Sequence, residues 1–273
     1  MEKITFRETQ LAAVEVLKKI DEISEKCNSK YFMFYGTLIG AVRHKGVIPW
    51  DDDVDIIMLR PDFKTFESYF ESNKERLLPF KLVTYKNSKD YPYTIARVYD
   101  TRYKIEMKNE ESYGMGVFVD IYIYDGMGSS LDEAVRLAQK SDKYSSLCFL
   151  STRKKFARDN TKGLLKMFIK YPAYLYAKLL GKNYWFKKLE KLGSSYSFDN
   201  SSYVGSVMWL SGGRDEVYKK EWFNDPIRLQ FEDYSFWAPK DYDEILTQHY
   251  GNYMKVPDDA GKKVHHDYDA YRL

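Results

Sequence analysis

The fold is decided by residues 36–57, which read GTLIGAVRHKGVIPWDDDVDII. Four of the five residues from Asp51 to Asp55 are aspartates, and they lead into an apolar, β-branched run that is typical of a buried strand. Carboxylates this close repel one another by roughly 1 kcal/mol per pair even in water. Mg²⁺ and Mn²⁺ are hard ions that prefer oxygen ligands, so the stretch predicts a site for one of these cations.

The spacing of the acids adds geometry to this prediction. Asp53 and Asp55 flank one valine, and in a strand residues i and i+2 face the same side. Two carboxylates at one sheet edge can hold one or two metal ions against a phosphate. The alternative is a solvated acidic loop, which is how most charge runs behave, but it leaves the strand pattern after the acids and the glycine turn before them unexplained.

A third carboxylate is predicted on a neighbouring strand. Asp120 lies within residues 117–124, VFVDIYIY, a run that is otherwise apolar and aromatic. Burying an unpaired carboxylate costs on the order of several kcal/mol, because the group loses its hydration. Asp120 therefore needs a metal or a basic partner. The alternative is that Asp120 caps a turn or pairs with Arg97 or Arg102.

The residues before the acids have the order expected of an anion-binding turn. An apolar stretch at 31–35 predicts a strand that runs into Gly36 and Thr37, after which residues 38–42 open a helix. A Gly-Thr step is weak evidence by itself, and its value comes from the acids that follow. Arg43, His44 and Lys45 are candidates to bind diphosphate oxygens, with a solvated surface as the alternative, and Arg43 is the best placed of them.

These residues together resemble the LicD family, which comprises phosphocholine transferases and related phospho-sugar transferases, including the fukutin-related proteins. Residues 36–55 carry the specific part of the resemblance. Supporting matches lie at residues 96–100, 119–121, 231–233, 239–243 and 250–254. The resemblance covers most of the chain and is weakest between about residues 130 and 200.

The resemblance implies an α/β (α+β) fold, with a nucleotidyltransferase-like mixed sheet core flanked by helices and an additional helical segment. It implies Asp53 and Asp55 as paired metal ligands and Asp120 as the third carboxylate, and Asp51 also matches a family acid. Ile123 stands where many relatives have a proline, which affects the local turn and not the acid. The residues expected to bind substrate are Gly36, Thr37, Arg43, Lys45 and Arg97.

The expected reaction is metal-dependent transfer from a CDP-linked donor. Mg²⁺ or Mn²⁺ would neutralise the diphosphate, and Asp120 or Asp51 would serve as the general base for an acceptor hydroxyl. Attack at the distal phosphorus releases CMP, and the resemblance favours this outcome, with CDP-choline as donor and a teichoic acid, lipopolysaccharide or capsule precursor as acceptor. CDP-ribitol and CDP-glycerol stay open, as do nucleotidyl transfer to RNA or protein and a non-enzymatic glycan- or membrane-binding module.

Length and composition set further bounds. The 273 residues, 44% of them hydrophobic, suffice for a catalytic core at 1–130, a helical segment at 131–200 that faces membrane or acceptor, and a segment at 201–273 that completes the substrate site. A net charge of +3 gives no reason to expect a nucleic-acid partner. The sequence has two cysteines without metal-ligand spacing, and it shows no signal peptide and no apolar stretch of about 20 residues. These features favour a cytoplasmic protein that is soluble or peripheral at the inner face of the membrane.

Periodicity predicts the main elements. Apolar residues at helical spacing, from Leu11 to Ile23, predict an amphipathic helix at 7–27. Further helices are expected at 62–73, 131–150 and 242–250, and strands near 31–35, 54–59, 80–85, 93–99 and 117–124.

Residues 162–180 place leucines on one helical face and lysines largely opposite. This pattern is typical of a helix at an anionic membrane surface, with an ordinary core face interrupted by Pro172 as the alternative. His265 and His266 are expected at the surface, with binding of substrate phosphate or metal as the alternative. Gly212 to Arg214 are expected to form a simple turn or a substrate loop.

Overall fold

The computed structural model describes residues 1–107, 112–153, 156, 164–209, 213–258 and 268–273, and the side chains of 164–169 lie outside the description. Within these residues the helices are α1 Phe6–Cys27, α2 Tyr35–Ile39, α3 Arg60–Asn73, α4 Leu131–Thr152, α5 Leu164–Leu180, α6 Lys182–Gly193 and α7 Tyr242–Tyr250. The strands are β1 Glu2–Lys3, β2 Phe32–Met33, β3 Asp55–Leu59, β4 Phe80–Val83, β5 Ala96–Asp100, β6 Tyr103–Met107, β7 Val117–Gly126, β8 Tyr203–Ser206, β9 Tyr218–Lys219, β10 Pro226–Phe231, β11 Tyr234–Pro239 and β12 Tyr268–Arg272.

The chain divides into two compact units. The sheet unit contains residues 1–91, 95–124 and 220–273, and the helical unit contains residues 92–94 and 125–219. The α+β class expected from the sequence is confirmed.

The sheet unit is built on a mixed sheet with the strand order β2-β3-β7-β5-β4. The central pair, β3 and β7, is parallel, and the other neighbours on this path are antiparallel. All five residues of β3 are buried, in keeping with its β-branched, apolar sequence. A second sheet, β1-β12-β6, brings the last strand of the chain back to the first, and β10 and β11 form a hairpin.

Helix α1 matches the predicted amphipathic helix at 7–27. A capping box starts it, because the Thr5 hydroxyl accepts from the Glu8 amide and the Glu8 carboxylate accepts from the Thr5 amide at 2.7 Å. Its apolar face is buried, but the prediction is wrong for Leu11, which is 42% exposed. The helix ends at Asn28 in the left-handed conformation, a common helix stop.

The predicted strands at 54–59, 80–85, 93–99 and 117–124 and the predicted helices at 62–73, 131–150 and 242–250 are confirmed, with ends shifted by a few residues. The prediction for 31–35 is wrong at its end, since the strand stops at Met33 and Tyr35 already begins α2. The chain continues into a π-helical turn, Gly40–His44, which Lys45 ends in the left-handed region. The sequence patterns also gave no prediction of β6 or of the last strand, β12.

The helical unit packs α4 against α6 and the short β8–β9 hairpin. A capping box of Ser130 and Glu133 starts α4, and Ala138, Leu192 and Val207 belong to its buried apolar cluster. In the turn between α5 and α6, the Trp185 indole donates to the carbonyl of Ala177 at 3.1 Å. Among the described residues, no helix has both the length and the apolarity required to cross a bilayer.

Candidate active site

Parallel pairing of β3 with β7 places two of the predicted acids side by side. Asp55 and Asp120 are register partners across this pair, so their side chains leave the same face of the sheet. The Asp55 amide donates to the Thr37 hydroxyl at 2.8 Å, and the Asp120 amide donates to the carbonyl of Val54 at 3.0 Å. The main chain that carries both carboxylates is therefore held by hydrogen bonds from its amides at the start of the parallel pair.

The preceding aspartates form a compact cluster of their own. One carboxylate oxygen from each of Asp51, Asp52 and Asp53 lies within 4.8 Å of the other two, and the first two residues are buried. Helix α1 holds this loop, because the Gln10 side-chain amide donates to the Asp51 carbonyl at 2.7 Å. The cluster includes Asp52, which the sequence prediction did not count as a ligand.

Gly36 is required for the close approach of this loop to α2. A methyl group at Gly36 would lie 2.4 Å from Oδ2 of Asp51, a separation that no packed side chain tolerates. Gly36 and Thr37 therefore help to position two of the acids. The absence of a side chain at Gly36 leaves room for Asp51, and the Thr37 hydroxyl accepts a hydrogen bond from the Asp55 amide. The phosphate contacts expected from these two residues stay a prediction.

Burial and mutual repulsion make the charged form of these carboxylates unfavourable. Burial, together with the charge of Asp53, raises the pKa of Asp51 to about 8. Burial also raises the pKa of Asp55 well above its ordinary value, with further contributions from Asp53, Asp120 and Asp51. Oδ1 of Asp55 is buried and accepts no hydrogen bond from any described residue.

This excess of buried oxygen atoms is the chemistry that a hard divalent cation requires. Without a cation, the raised pKa of about 8 leaves the Asp51 carboxyl largely protonated at neutral pH, and the pKa of Asp55 is shifted in the same direction. The residues present therefore fit Mg²⁺ or Mn²⁺.

Asp120 differs from the other acids because it has a buried cationic partner. Nε of Arg97 pairs with Oδ1 of Asp120, and a second guanidinium nitrogen donates to Oδ2 at 3.2 Å. Both side chains are at most 2% exposed, and the guanidinium also lies 4.0 Å from the ring centroid of Phe118. Of the two basic partners that the sequence left open, Arg97 is the one observed, and Arg102 binds Asp100 instead, at 2.6 Å.

The basic residues between the glycine turn and the acids have separate roles. Arg43 donates to the carbonyls of Tyr253 and Lys255, at 2.6 and 3.2 Å, and so ties the loop after α7 to the turn. The Lys45 side chain is exposed, while its carbonyl accepts from the Glu232 amide at 2.8 Å. The structure thus gives Arg43 a positioning contact that its sequence context did not indicate.

Two tyrosines near the acids were missed by the sequence prediction. Tyr122 follows Asp120 by two residues on the same face of β7, and burial plus the charges of Asp55 and Asp120 raise its pKa. Tyr268 comes from β12 and donates to the carbonyl of Asp52 at 3.1 Å. The period of two was enough to place Tyr122, whereas no local signal connects Tyr268 with a loop more than 200 residues earlier in the chain.

Other predicted features lie elsewhere in the chain. His265, His266 and Gly212 fall outside the described residues, and Gly213 and Arg214 belong to a 3₁₀ turn of the helical unit. In α5, the described leucines of the apolar face are exposed, 50% for Leu175 and 83% for Leu179. For these two leucines the core-face alternative is wrong.

Comparisons with known proteins place these features in context. A model of the nucleotidyltransferase domain of the LicD/FKTN/FKRP family matches residues 28–126. Over 278 aligned residues, the chain is 33% identical to the lipopolysaccharide cholinephosphotransferase LicD of Haemophilus influenzae, and the alignment covers 100% of both chains. It is also 36% identical over 88 residues to an uncharacterized protein of Rickettsia prowazekii, a match that covers 32% of this chain and 30% of that one. An uncharacterized protein of Rickettsia typhi is 37% identical over 86 residues, covering 31% of this chain and 25% of its own.

Proposed function

Because the chain belongs to the LicD family and is a phosphotransferase of the LicD type, we propose that it transfers phosphocholine from CDP-choline to a hydroxyl of lipopolysaccharide and releases CMP. The acceptor class follows the name of the Haemophilus influenzae relative, which aligns with the chain from end to end. A teichoic acid or capsule precursor is the alternative acceptor, and CDP-ribitol or CDP-glycerol the alternative donor.

The observation that carries this proposal is the buried carboxylate group at the start of the β3–β7 pair. Oδ1 of Asp55 has no hydrogen-bond partner among the described residues, and the oxygens of Asp51 to Asp53 lie within 4.8 Å of one another. Such an arrangement is costly for a protein with no cation to bind there. A donor with a diphosphate arrives with its own negative charge and would need the same cation to approach these acids.

Asp53 and Asp55 are the residues we assign as the paired ligands of Mg²⁺ or Mn²⁺, with Asp120 as the third carboxylate. Asp51 and Asp52 each have a carboxylate oxygen within 4.8 Å of one of Asp53. When bound, the ion would neutralise the diphosphate and stabilise the charge that develops on the departing CMP. Arg97 orients Asp120, because both Asp120 oxygens contact its guanidinium.

Asp51 is the better candidate for the general base. Both oxygens of Asp120 are engaged by Arg97, whereas Asp51 lies in the acid loop outside that ion pair, so its carboxylate is better placed to accept a proton. In the proposed step the acceptor oxygen bonds to the distal phosphorus as the bond from that phosphorus to the bridging oxygen breaks. The hydroxyl proton passes to Asp51, and CMP leaves.

The remaining predicted substrate contacts follow from position. Lys45 has an exposed side chain at the end of the glycine turn and is proposed to bind diphosphate oxygens. Arg43 is proposed to act through the loop at 253–255, whose carbonyls it holds. Gly36 and Thr37 are proposed to border the phosphates from the first turn of α2.

A cytoplasmic location with peripheral contact at the inner face of the membrane is proposed for this enzyme. Leu179 in α5 is 83% exposed, and Tyr171 and Tyr176 are each about half exposed on the same helix. Exposed lysines surround these apolar side chains in α5 and α6: Lys170, Lys178, Lys187 and Lys188. Aromatic and apolar side chains next to lysines suit an anionic lipid surface, where a lipid-linked acceptor would be found.

The test is product analysis with CDP-choline, Mg²⁺ or Mn²⁺ and purified lipopolysaccharide. We expect CMP release with choline on the glycan, and loss of at least a hundredfold in rate in Asp53→Asn and Asp55→Asn. Asp90→Asn, a change of an exposed acid in the same unit, serves as the matched control.

The alternatives give different products in the same assay. Release of phosphocholine with the nucleotide on the acceptor would establish nucleotidyl transfer instead. CMP release only from CDP-ribitol or CDP-glycerol would overturn the choline assignment. Glycan binding that survives both Asp variants, without turnover of any donor by the wild type, would identify a binding module.

A further inference from the structure

Four aromatic side chains of the sheet unit lie in contact beside the carboxylates. The ring centroids of Tyr35 and Tyr122 are 4.9 Å apart at 67°, and those of Tyr35 and His249 are 5.6 Å apart at 68°. Tyr250 continues the group, with its ring 4.2 Å from that of His249 at 55°. We refer to Tyr35, Tyr122, His249 and Tyr250 as the aromatic corner.

The aromatic corner is not part of the hydrophobic core. Tyr35, Tyr122 and His249 are half-buried and Tyr250 is 42% exposed. Behind them lies a fully buried group of rings that includes Phe34, Tyr124 and Phe223.

Buried rings anchor the corner from within. Tyr35 packs edge-on against Phe34 at 5.1 Å, and its hydroxyl lies 3.2 Å from that of Tyr124. The corner is therefore a rigid, partly open aromatic surface supported by core residues.

The corner adjoins the acids through two of its members. Tyr122 leaves the same face of β7 as Asp120, two residues away, and the charges of Asp55, Asp120 and Asp53 act on its phenol group. Tyr35 precedes Gly36, the residue that contacts Asp51. A ligand whose phosphate lies at the acids would thus have its next few atoms at these rings.

The backbone of Tyr35 adopts an unfavourable conformation that fixes the position of its ring. Tyr35 has φ of +48°, in the left-handed region that bulky side chains rarely adopt. Such a conformation is unfavourable for a bulky residue, and conformations of this kind cluster at functional sites.

We propose that the aromatic corner binds the quaternary ammonium group of the choline donor, an inference that rests on the proposed function. A trimethylammonium group has no N–H to donate, so ring faces and a negative field are the means by which a protein can recognise it. The corner supplies the rings, and Asp53 and Asp55, whose charges act on Tyr122, supply the field. Choline carries its quaternary nitrogen two carbons beyond the phosphate oxygen, which matches the adjacency of acids and rings.

The same geometry explains selection among CDP-linked donors. Glycerol and ribitol carry hydroxyl groups and no positive charge, so the rings would desolvate their hydroxyls and offer little in return. Ethanolamine keeps the charge but is strongly hydrated through its N–H groups. Recognition by rings therefore predicts the order choline, then ethanolamine, then the neutral polyols.

The test uses Tyr250, the exposed member of the corner, because a change at an exposed position perturbs the fold least. For Tyr250→Leu we expect at least a tenfold loss, about 1.4 kcal/mol, in the ratio of kcat/KM for CDP-choline to that for CDP-ethanolamine. Tyr250→Phe keeps the ring and should keep the ratio. Tyr184→Leu, a change of a tyrosine that is 38% exposed in the helical unit, is the matched control. Tyr122→Leu and Tyr122→Phe repeat the comparison at the centre of the corner.

Calorimetric binding separates failure of this inference from failure of the proposed function. Wild-type protein should bind CDP-choline at least tenfold more tightly than CDP-glycerol, and Tyr250→Leu should lose this difference while its affinity for CMP stays the same. Equal wild-type affinities for the two donors, or a preference unchanged in both leucine variants, would overturn the aromatic corner as the choline site. Choline-dependent binding at these rings without CMP release would keep the corner and overturn the proposed reaction.

Discussion

Asp51→Asn should stabilise the metal-free protein, although it removes a residue that we place in the active site. The pKa of Asp51 rises from 3.8 to about 8, first through burial and then through the charge of Asp53. At pH 7 the unfolded chain has this carboxyl ionised while the folded chain keeps its proton. At 1.36 kcal/mol per pH unit between 3.8 and 7, folding loses about 4 kcal/mol.

Together with burial, the proximity of the neighbouring acids explains why Asp51 keeps its proton. Carboxylate oxygens of Asp51, Asp52 and Asp53 lie within 4.8 Å of one another. Two unit charges at that separation repel by about 3 kcal/mol at an effective dielectric constant of about 20. Asparagine keeps the shape and a donor for Asp53 but removes the charge, so a gain of about 2 kcal/mol is expected after relaxation of the loop.

The pH dependence has a defined sign. Because the folded-state pKa of Asp51 lies above the unfolded value, its cost is absent below about pH 4, grows as the pH rises, and is constant above about pH 8. In EDTA, the melting temperature of the wild type should therefore fall with rising pH across this window more steeply than that of Asp51→Asn. Mg²⁺ or Mn²⁺ should raise the melting temperature of the wild type more than that of the variant.

The assay is thermal unfolding in EDTA from pH 4 to 8, with Asp90→Asn as the exposed control. A variant that is less stable than the wild type at pH 7, or one with the same pH slope, would refute the argument that the metal-free acids oppose folding. Loss of the cation effect in Asp90→Asn would show that the response is not specific to the cluster.

Two further predictions test the supports of the site, and a third tests the exposed face of α5. Gly36→Ala places a methyl group 2.4 Å from Oδ2 of Asp51, so CMP release should fall at least a hundredfold while circular dichroism stays that of the wild type, and near-normal turnover would contradict the packing argument. Arg97→Leu leaves Asp120 buried without its partner and should lower the free energy of unfolding, measured with denaturant, by roughly 3–5 kcal/mol. The double variant Arg97→Leu, Asp120→Leu should recover part of this stability. A less stable double variant would argue against a paired charge. Leu179→Glu should weaken binding to anionic vesicles at least tenfold. The control is Leu78→Glu, a change at a leucine of the sheet unit that is 50% exposed. Equal binding by both variants would exclude α5 as a membrane contact.

The clustering of the acids was largely predictable because its information is local. The run from Asp51 to Asp55 combines like charges with a strand pattern, and such a conflict is typical of functional sites. Asp120 was predictable for a related reason, since a single acid within an apolar strand needs a partner. Whether that partner was a metal or Arg97 depended on the β5–β7 register, which pairs Arg97 with Asp120 and which no local pattern specifies.

Other features were beyond sequence reasoning because they depend on long-range packing. Residues 31–35 have the apolar pattern of a strand, yet the chain turns at Tyr35 into a left-handed conformation and a helix. Tertiary contacts with Tyr122 and His249 offset this local preference. Tyr268 reaches Asp52 only because β12 pairs with β6, a connection between the end of the chain and its middle.

Acids and rings have separable roles in the proposed site, and this separation gives the most informative comparison. Arg97 neutralises Asp120, so the negative field comes mainly from Asp51, Asp53 and Asp55, and this field would attract both a divalent cation and the ammonium group of choline. Asp53→Asn should therefore lower the affinity for Mn²⁺ and for CDP-choline together, each by at least tenfold in calorimetry. Tyr250→Leu removes only a ring, and it should lower the affinity for CDP-choline while the affinity for Mn²⁺ stays the same. Loss of Mn²⁺ binding in Tyr250→Leu would mean that the rings act by shaping the acid loop, and choline recognition would then have to be sought elsewhere in the sheet unit.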